Sequence, residues 1–232
     1  MPTKKAETGP KFFWFITFPI GAIVYWVTST FSAPGSVPTL PPDTLYSPSP
    51  IVAASGTPDP CAVQGQSSNL ERCPLNLYKI AGADYTLCIC NGADFSGADL
   101  TGTKLETAML AEANFEGSKM AGVNLYGAVG GYAKFLGANL ARTNFASSIF
   151  NFAIFDGANM GNADLTAGSF MFATFLKTDL SGANFLRANL SYADLSGANL
   201  TGANLRYADI TGAKLDGTVL TGATMPDGTI HE

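Results

Sequence analysis

ADFSGADLTG at residues 93–102, answered by ANLTG at 198–202, repeats a five-residue unit: a small residue, a short polar one, a large apolar one and two turn-formers. The unit fixes the phase of most of the chain. From Leu70 to Met225 the apolar centre recurs at every fifth position without a slip in phase, Gly130 being the one centre without a side chain, as Phe95, Leu100, Leu105, Leu110, Phe115, Leu125, Phe135, Leu140 and onward. Two positions before the centres sit small residues such as Ala93, Ala98, Ala108, Ala113, Ala138 and Ala198. A period of five fits neither an amphipathic helix nor an alternating strand. It fits a chain that turns a corner every five residues, aiming the small and large residues inward and the other three outward. Four such sides close a square coil of 20 residues, and stacked coils bury one continuous core.

Composition agrees. The 232 residues hold 13 basic and 18 acidic side chains, and charged residues make up 13%, about half the usual share of roughly 25%. With 25 Gly and 47% apolar residues, the chain has core material and is neither a disordered acidic chain nor a basic nucleic-acid binder. A single His, His231 on the C-terminal tail, argues against most His-based catalysis and metal sites. Ser, Thr, Asp and Lys fill outward slots of the repeat and form no nucleophile, base and orienter set. The expectation is a non-enzyme with no cofactor, no metal and no small-molecule substrate.

Ala93-Asp94-Phe95-Ser96-Gly97, Ala98-Asp99-Leu100-Thr101-Gly102 and Ala198-Asn199-Leu200-Thr201-Gly202 resemble the A-(D/N)-L-x-x motif of pentapeptide-repeat proteins. That resemblance implies an all-β fold, a right-handed quadrilateral β-helix, here of about eight coils over residues 80–225. Residues 61–79 then supply an N-terminal cap and first coil, and 226–232 a C-terminal tail. Thr224 to His231 resembles the tail of cyanobacterial members, which points to a cyanobacterial or plastid source.

Ahead of the repeats, residues 12–31, FFWFITFPIGAIVYWVTSTF, carry no charge. At about 1.5 Å per residue they span a bilayer core of roughly 30 Å. Lys4, Lys5 and Lys11 in the segment 1–11 precede the run, and the next basic residue is Arg72. The positive-inside bias therefore puts the N-terminus in the cytoplasm or stroma and the repeats in the periplasm or thylakoid lumen. A cleaved signal peptide and a buried helix are the alternatives to a retained membrane anchor. Residues 32–60 hold eight prolines and read as a stiff spacer of about 80 Å at roughly 3.1 Å per residue.

Cys61, Cys73, Cys88 and Cys90 cluster at the start of the repeats. In an exported segment they invite one or two disulfides, of undetermined pairing. Free core thiols remain open, since Cys73 and Cys88 fill the small inward slot, and so does a metal site.

Positions 20 apart stack in columns, and one side of the coil is unusual. Its outward slot, normally Asp, Asn or Lys, reads Ile89, Met109, Val129 and Ile149. Tyr132, Phe152, Phe172 and Tyr192 follow two places after the centres of that side, with Met171 beside them and Leu136, Ile154 and Leu176 round the corner. Contiguous exposed apolar residues mark interaction sites, and rigid aromatics serve as anchors. The alternatives are that Phe152 and Phe172 cover the core at Gly130, or that the spacer folds back over this side. The expected function is a membrane-tethered scaffold docking an exported protein or a membrane complex, such as a photosynthetic one. The other reading the family offers is DNA mimicry that inhibits topoisomerases. A rod of about 38 Å, at roughly 4.8 Å per coil, would then want on the order of 20 aligned charges. The net charge here is −5, so no nucleic-acid partner is expected.

Overall fold

The computed structural model describes residues 66–232. The anchor and spacer expected over residues 12–60, and Cys61, lie outside them. Among the described residues no helix is long and apolar enough to cross a membrane.

The middle residue of each side pairs in parallel with the residue 20 positions on: Ile89 with Met109, Asp94 with Asn114, Asp99 with Lys119, Lys104 with Asn124. These four registers define four sides. Side 1 carries residues 69 to 209 at its midline, side 2 residues 94 to 214, side 3 residues 99 to 219 and side 4 residues 84 to 224. The inward residues make one core of fully buried Leu, Phe and Ala. Along one column Phe95, Phe115, Phe135, Phe155 and Phe175 stack with centroids 4.7–4.9 Å apart.

Buried backbone donors need acceptors, and most pentads supply all five. Around Phe95, the centre donates to Asn114 O at 2.7 Å and Gly97 to Glu116 O at 2.8 Å, both on the next coil. Asp94 donates to Cys73 O at 2.9 Å on the preceding coil, and Ala98 closes the corner onto Phe95 O at 3.0 Å. That leaves the first corner residue, Ser96, whose N–H donates to the Asp94 carboxylate at 3.0 Å. This last bond is why the slot before the centre favours Asp or Asn: only a short side chain with an acceptor oxygen reaches two residues on. The second corner residue takes a left-handed backbone, as in Gly97 at φ +65°, which glycine adopts without strain.

The same bonds hold several carboxyls below the usual carboxylate range. The Thr101 hydroxyl and then its N–H lower Asp99, and Thr229 does the same for Asp227. At Asp194 the Ser196 hydroxyl is the largest influence, with Lys214 adding to it against some desolvation. On side 3 Asp99 turns to Thr101 rather than to Lys119 one coil on. The ion pairs that close are Lys104–Asp84 at 3.4 Å on side 4 and Lys214–Asp194 at 3.0 Å on side 2.

Both ends depart from the repeat. A 3-10 turn, Leu75–Leu77, replaces the bridges of the first coil on sides 2 and 3. Cys88 and Cys90 are joined by a disulfide, with Cα atoms 5.6 Å apart, and Cys73 is also disulfide-bonded. Free core thiols and a metal are thereby excluded for these three cysteines. At the C-terminus the tail folds back: Thr224 pairs antiparallel with Ile230, and His231 donates to Ala223 O at 2.8 Å. This covers an edge that would otherwise present unpaired strand groups.

Gly130 is a core centre without a side chain. The Phe150 ring fills its place, so that a Cβ on Gly130 would lie 2.1 Å from Phe150 Cε1. That ring is held edge-on by Phe135 and Phe145, at 5.7 and 5.2 Å. Gly130→Ala is expected to destabilise the fold by about 1–3 kcal/mol, the usual range for overpacking, and Gly130→Ala/Phe150→Leu to recover most of it in thermal melts. Carboxyls with lowered pKa contribute stability above the unfolded value, about 3.9 for Asp, and lose it as pH falls through the folded values. The melting temperature should therefore hold from pH 7 to about 5 and fall below about pH 4, with a shallower acid limb in Asp99→Asn/Asp227→Asn.

Candidate functional site

The apolar candidates lie along one corner of the prism and the two sides that meet there. Tyr132, Phe152, Phe172 and Tyr192 occupy the corner between sides 1 and 2, 58, 43, 41 and 55% exposed. Their rings stack at a uniform 5.0 Å with interplanar angles of 3–7°. On side 1, Met109 and Val129 are exposed while Ile89 and Ile149 are half-buried. Met171 and, on side 2, Ile154 are half-buried, and Leu136 and Leu176 are exposed at the far corner of side 2. Leu87, exposed at the corner before Ile89, extends the strip. Column reading missed it because its neighbours in the stack, Ser67 and Thr107, are polar.

The ladder is not cover for a core defect. Phe150, one coil above Gly130 and inside the core, closes that gap, and Phe152 and Phe172 stay outside. Nor is the ladder a requirement of the corner. All four residues have left-handed backbone, with φ between 59° and 62°, where a bulky L-residue is strained by roughly 1–2 kcal/mol. Of the other positions with this backbone, a little over half hold Gly. Four successive aromatics in a slot that favours glycine are a choice the fold does not demand.

The apolar midlines have a second consequence. Ile, Met and Val cannot accept the N–H two residues on; the corner after Met109, and likewise those after Ser169 and Thr174, are served from the coil below. Asn91 Oδ1 accepts from Ala111 at 3.0 Å, Asn151 Oδ1 from Met171 at 2.9 Å and Asp156 Oδ1 from Leu176 at 3.0 Å. The N–H groups of Gly131 and Asn151 have no protein acceptor among the described residues. Both residues are half-buried beside the apolar strip. Glu112 and Lys134 flank the lower end of the ladder, lining a shallow depression with Tyr132. Asp194 and Lys214 flank the upper end. Among the described residues no group of His, Cys, Asp or Glu could hold a metal ion.

The family model for pentapeptide repeats matches in 8 copies, over residues 88–127, 131–162, 155–185 and 183–222. The chain belongs to the pentapeptide-repeat family, whose fold is the right-handed quadrilateral β-helix. Among solved structures it is similar to HetL, a pentapeptide repeat protein involved in heterocyst differentiation regulation from the cyanobacterium Nostoc sp. strain PCC 7120. The identity is 28%, covering 72% of this chain and 92% of that one, with a TM-score of 0.30. A pentapeptide repeat protein of the Arabidopsis thaliana thylakoid lumen is 28% identical, covering 50% of this chain and 71% of that one, with a TM-score of 0.25. QnrB1, a plasmid-mediated fluoroquinolone resistance protein, is 20% identical, covering 66% and 89%, with a TM-score of 0.29. No curated protein matches the chain.

If the ladder is surplus to folding, Phe152→Gly/Phe172→Gly should melt within a few degrees of the parent protein. Relief of backbone strain, roughly 1 kcal/mol each, offsets lost stacking of about 0.5–1.5 kcal/mol per pair. Phe155→Ala, in the inner stack, should lose about 3–5 kcal/mol.

Proposed function

We propose that the chain is a non-catalytic scaffold, tethered to a membrane by residues 12–31, that docks a protein partner through the Tyr132–Tyr192 corner and side 1. The observation that carries this reading is the ladder itself. It places four stacked aromatic rings in solvent, at backbone positions where each side chain adds strain, next to Met109, Val129 and unpaired amides. Burial of such a strip on a partner recovers apolar area at roughly 25 cal/mol per Å², and a rigid rod loses little conformational entropy on binding. The compartment expected is the periplasm or thylakoid lumen, with the spacer over residues 32–60 holding the rod away from the bilayer and a membrane complex within reach.

The DNA-mimic reading lacks a surface to support it. A mimic needs an unbroken carboxylate track, whereas Asp99 is followed in its column by Lys119, Asn139 and Asn159. Asp84 and Asp194 are each neutralised by a lysine one coil on.

The test is affinity capture of the tagged full chain from detergent-solubilised native membranes, beside Phe152→Gly/Phe172→Gly. A protein retained by the parent chain and lost from the variant is expected. An identical set of retained proteins would overturn the assignment of this surface.

A further inference from the structure

We infer that the ladder corner and side 2 form a two-fold interface with a second copy of this chain, the two rods running antiparallel. The inference rests on the reading that this surface docks protein, and it names the partner.

A C2 interface joins one surface to itself, so each residue must suit its symmetry mate. The ladder reads Tyr132, Phe152, Phe172, Tyr192, the same in both directions, and its rungs are equally spaced at 5.0 Å. Reversing one copy about the midpoint between Phe152 and Phe172 sets Tyr against Tyr and Phe against Phe. It also matches the rung spacing, which another surface of the same coil repeat reproduces along its whole length.

The neighbouring column on side 2 decides the direction. Two residues after the rungs come Lys134, Ile154, Thr174 and Asp194, bridged coil to coil as one midline. In the antiparallel pairing Lys134 meets Asp194 of the second copy at both ends of the interface, and Ile154 meets Thr174 between them. A parallel two-fold centred on the ladder instead sets side 2 of one copy against side 1 of the other, so that Lys134 comes opposite the level of Val129 and Asp194 opposite that of Asn189, and neither charge meets an opposite one. Lys134 is exposed and has no ion pair among the described residues, whereas Lys104 and Lys214 each have one. Asp194 already meets Lys214 through Oδ2 at 3.0 Å, and a carboxylate has acceptor sites for a second cation.

The tether permits this arrangement. Antiparallel rods related about that midpoint place their N-terminal coils at opposite ends, roughly 44 Å apart for about nine coils at 4.8 Å. The spacer expected from the sequence over residues 32–60, about 80 Å if extended, would be long enough to serve one membrane from either end.

The experiment is sedimentation velocity of the full chain in mild detergent, from about 1 to 100 μM, with Lys134→Glu, Lys134→Glu/Asp194→Lys and Phe152→Gly/Phe172→Gly alongside. Circular dichroism checks that each variant is folded. The parent is expected to dimerise, Lys134→Glu to dimerise at least tenfold more weakly, the double charge exchange to recover, and the ladder variant to stay monomeric. A parent chain that remains monomeric across this range overturns the inference while leaving the Proposed function standing if membrane capture still depends on the ladder. A dimer unaffected by Lys134→Glu and by loss of the ladder also overturns it, since its interface then lies elsewhere.

Discussion

Most corners of this coil are closed by one side-chain hydrogen bond: that of the N–H of the first corner residue, which no carbonyl of the stack accepts. The other four N–H groups of a pentad are served by backbone, two upward, one downward and one across the turn, as around Phe95. The fifth needs a side chain, so Asp and Asn recur before the centres and the body is acidic yet nearly uncharged. Where that residue becomes Ile, Met or Val, the corner must borrow an acceptor from the coil below or leave its amide to solvent. The apolar strip is therefore bought with lost corner bonds and left-handed strain together. Local rules broken without a folding gain are where function is to be sought.

Most of the fold was legible from the unit ADFSGADLTG, because a five-residue period has few physical solutions and the 20-residue coil follows from four equal sides. The Phe95 to Phe175 stack and the outward aromatic ladder both came directly from spacing of 20, since the repeat lets neither column drift. Gly130 was harder to read. Its emptied centre is filled by Phe150 within the core, whereas the alternative taken from sequence placed Phe152 and Phe172 over the gap. Rotamer and packing decided that, and neither is visible in spacing.

The chain's charges were legible only in part. On side 3 Asp99 is committed to the Thr101 N–H and hydroxyl, and its column neighbour Lys119 does not close on it. The pairs that form, Lys104–Asp84 and Lys214–Asp194, lie on sides 4 and 2. The cysteine cluster left several states open, and the structure joins Cys88 to Cys90 within one side, a pairing that spacing alone could not select. Lys134 and Asp194 attracted no notice in sequence because each is an ordinary outward residue. Their meaning came from position beside the two terminal rungs of a ladder that reads alike from either end.

The proposed function requires that the aromatic corner be covered by protein in the working state. Hydroxyl-radical footprinting of the chain in native membranes, compared with the purified chain at high dilution, measures this residue by residue. Tyr132, Phe152, Phe172 and Tyr192 are expected to be protected in membranes while Val219, exposed on side 3, is labelled equally in both. Equal labelling of the ladder in the two samples would contradict it.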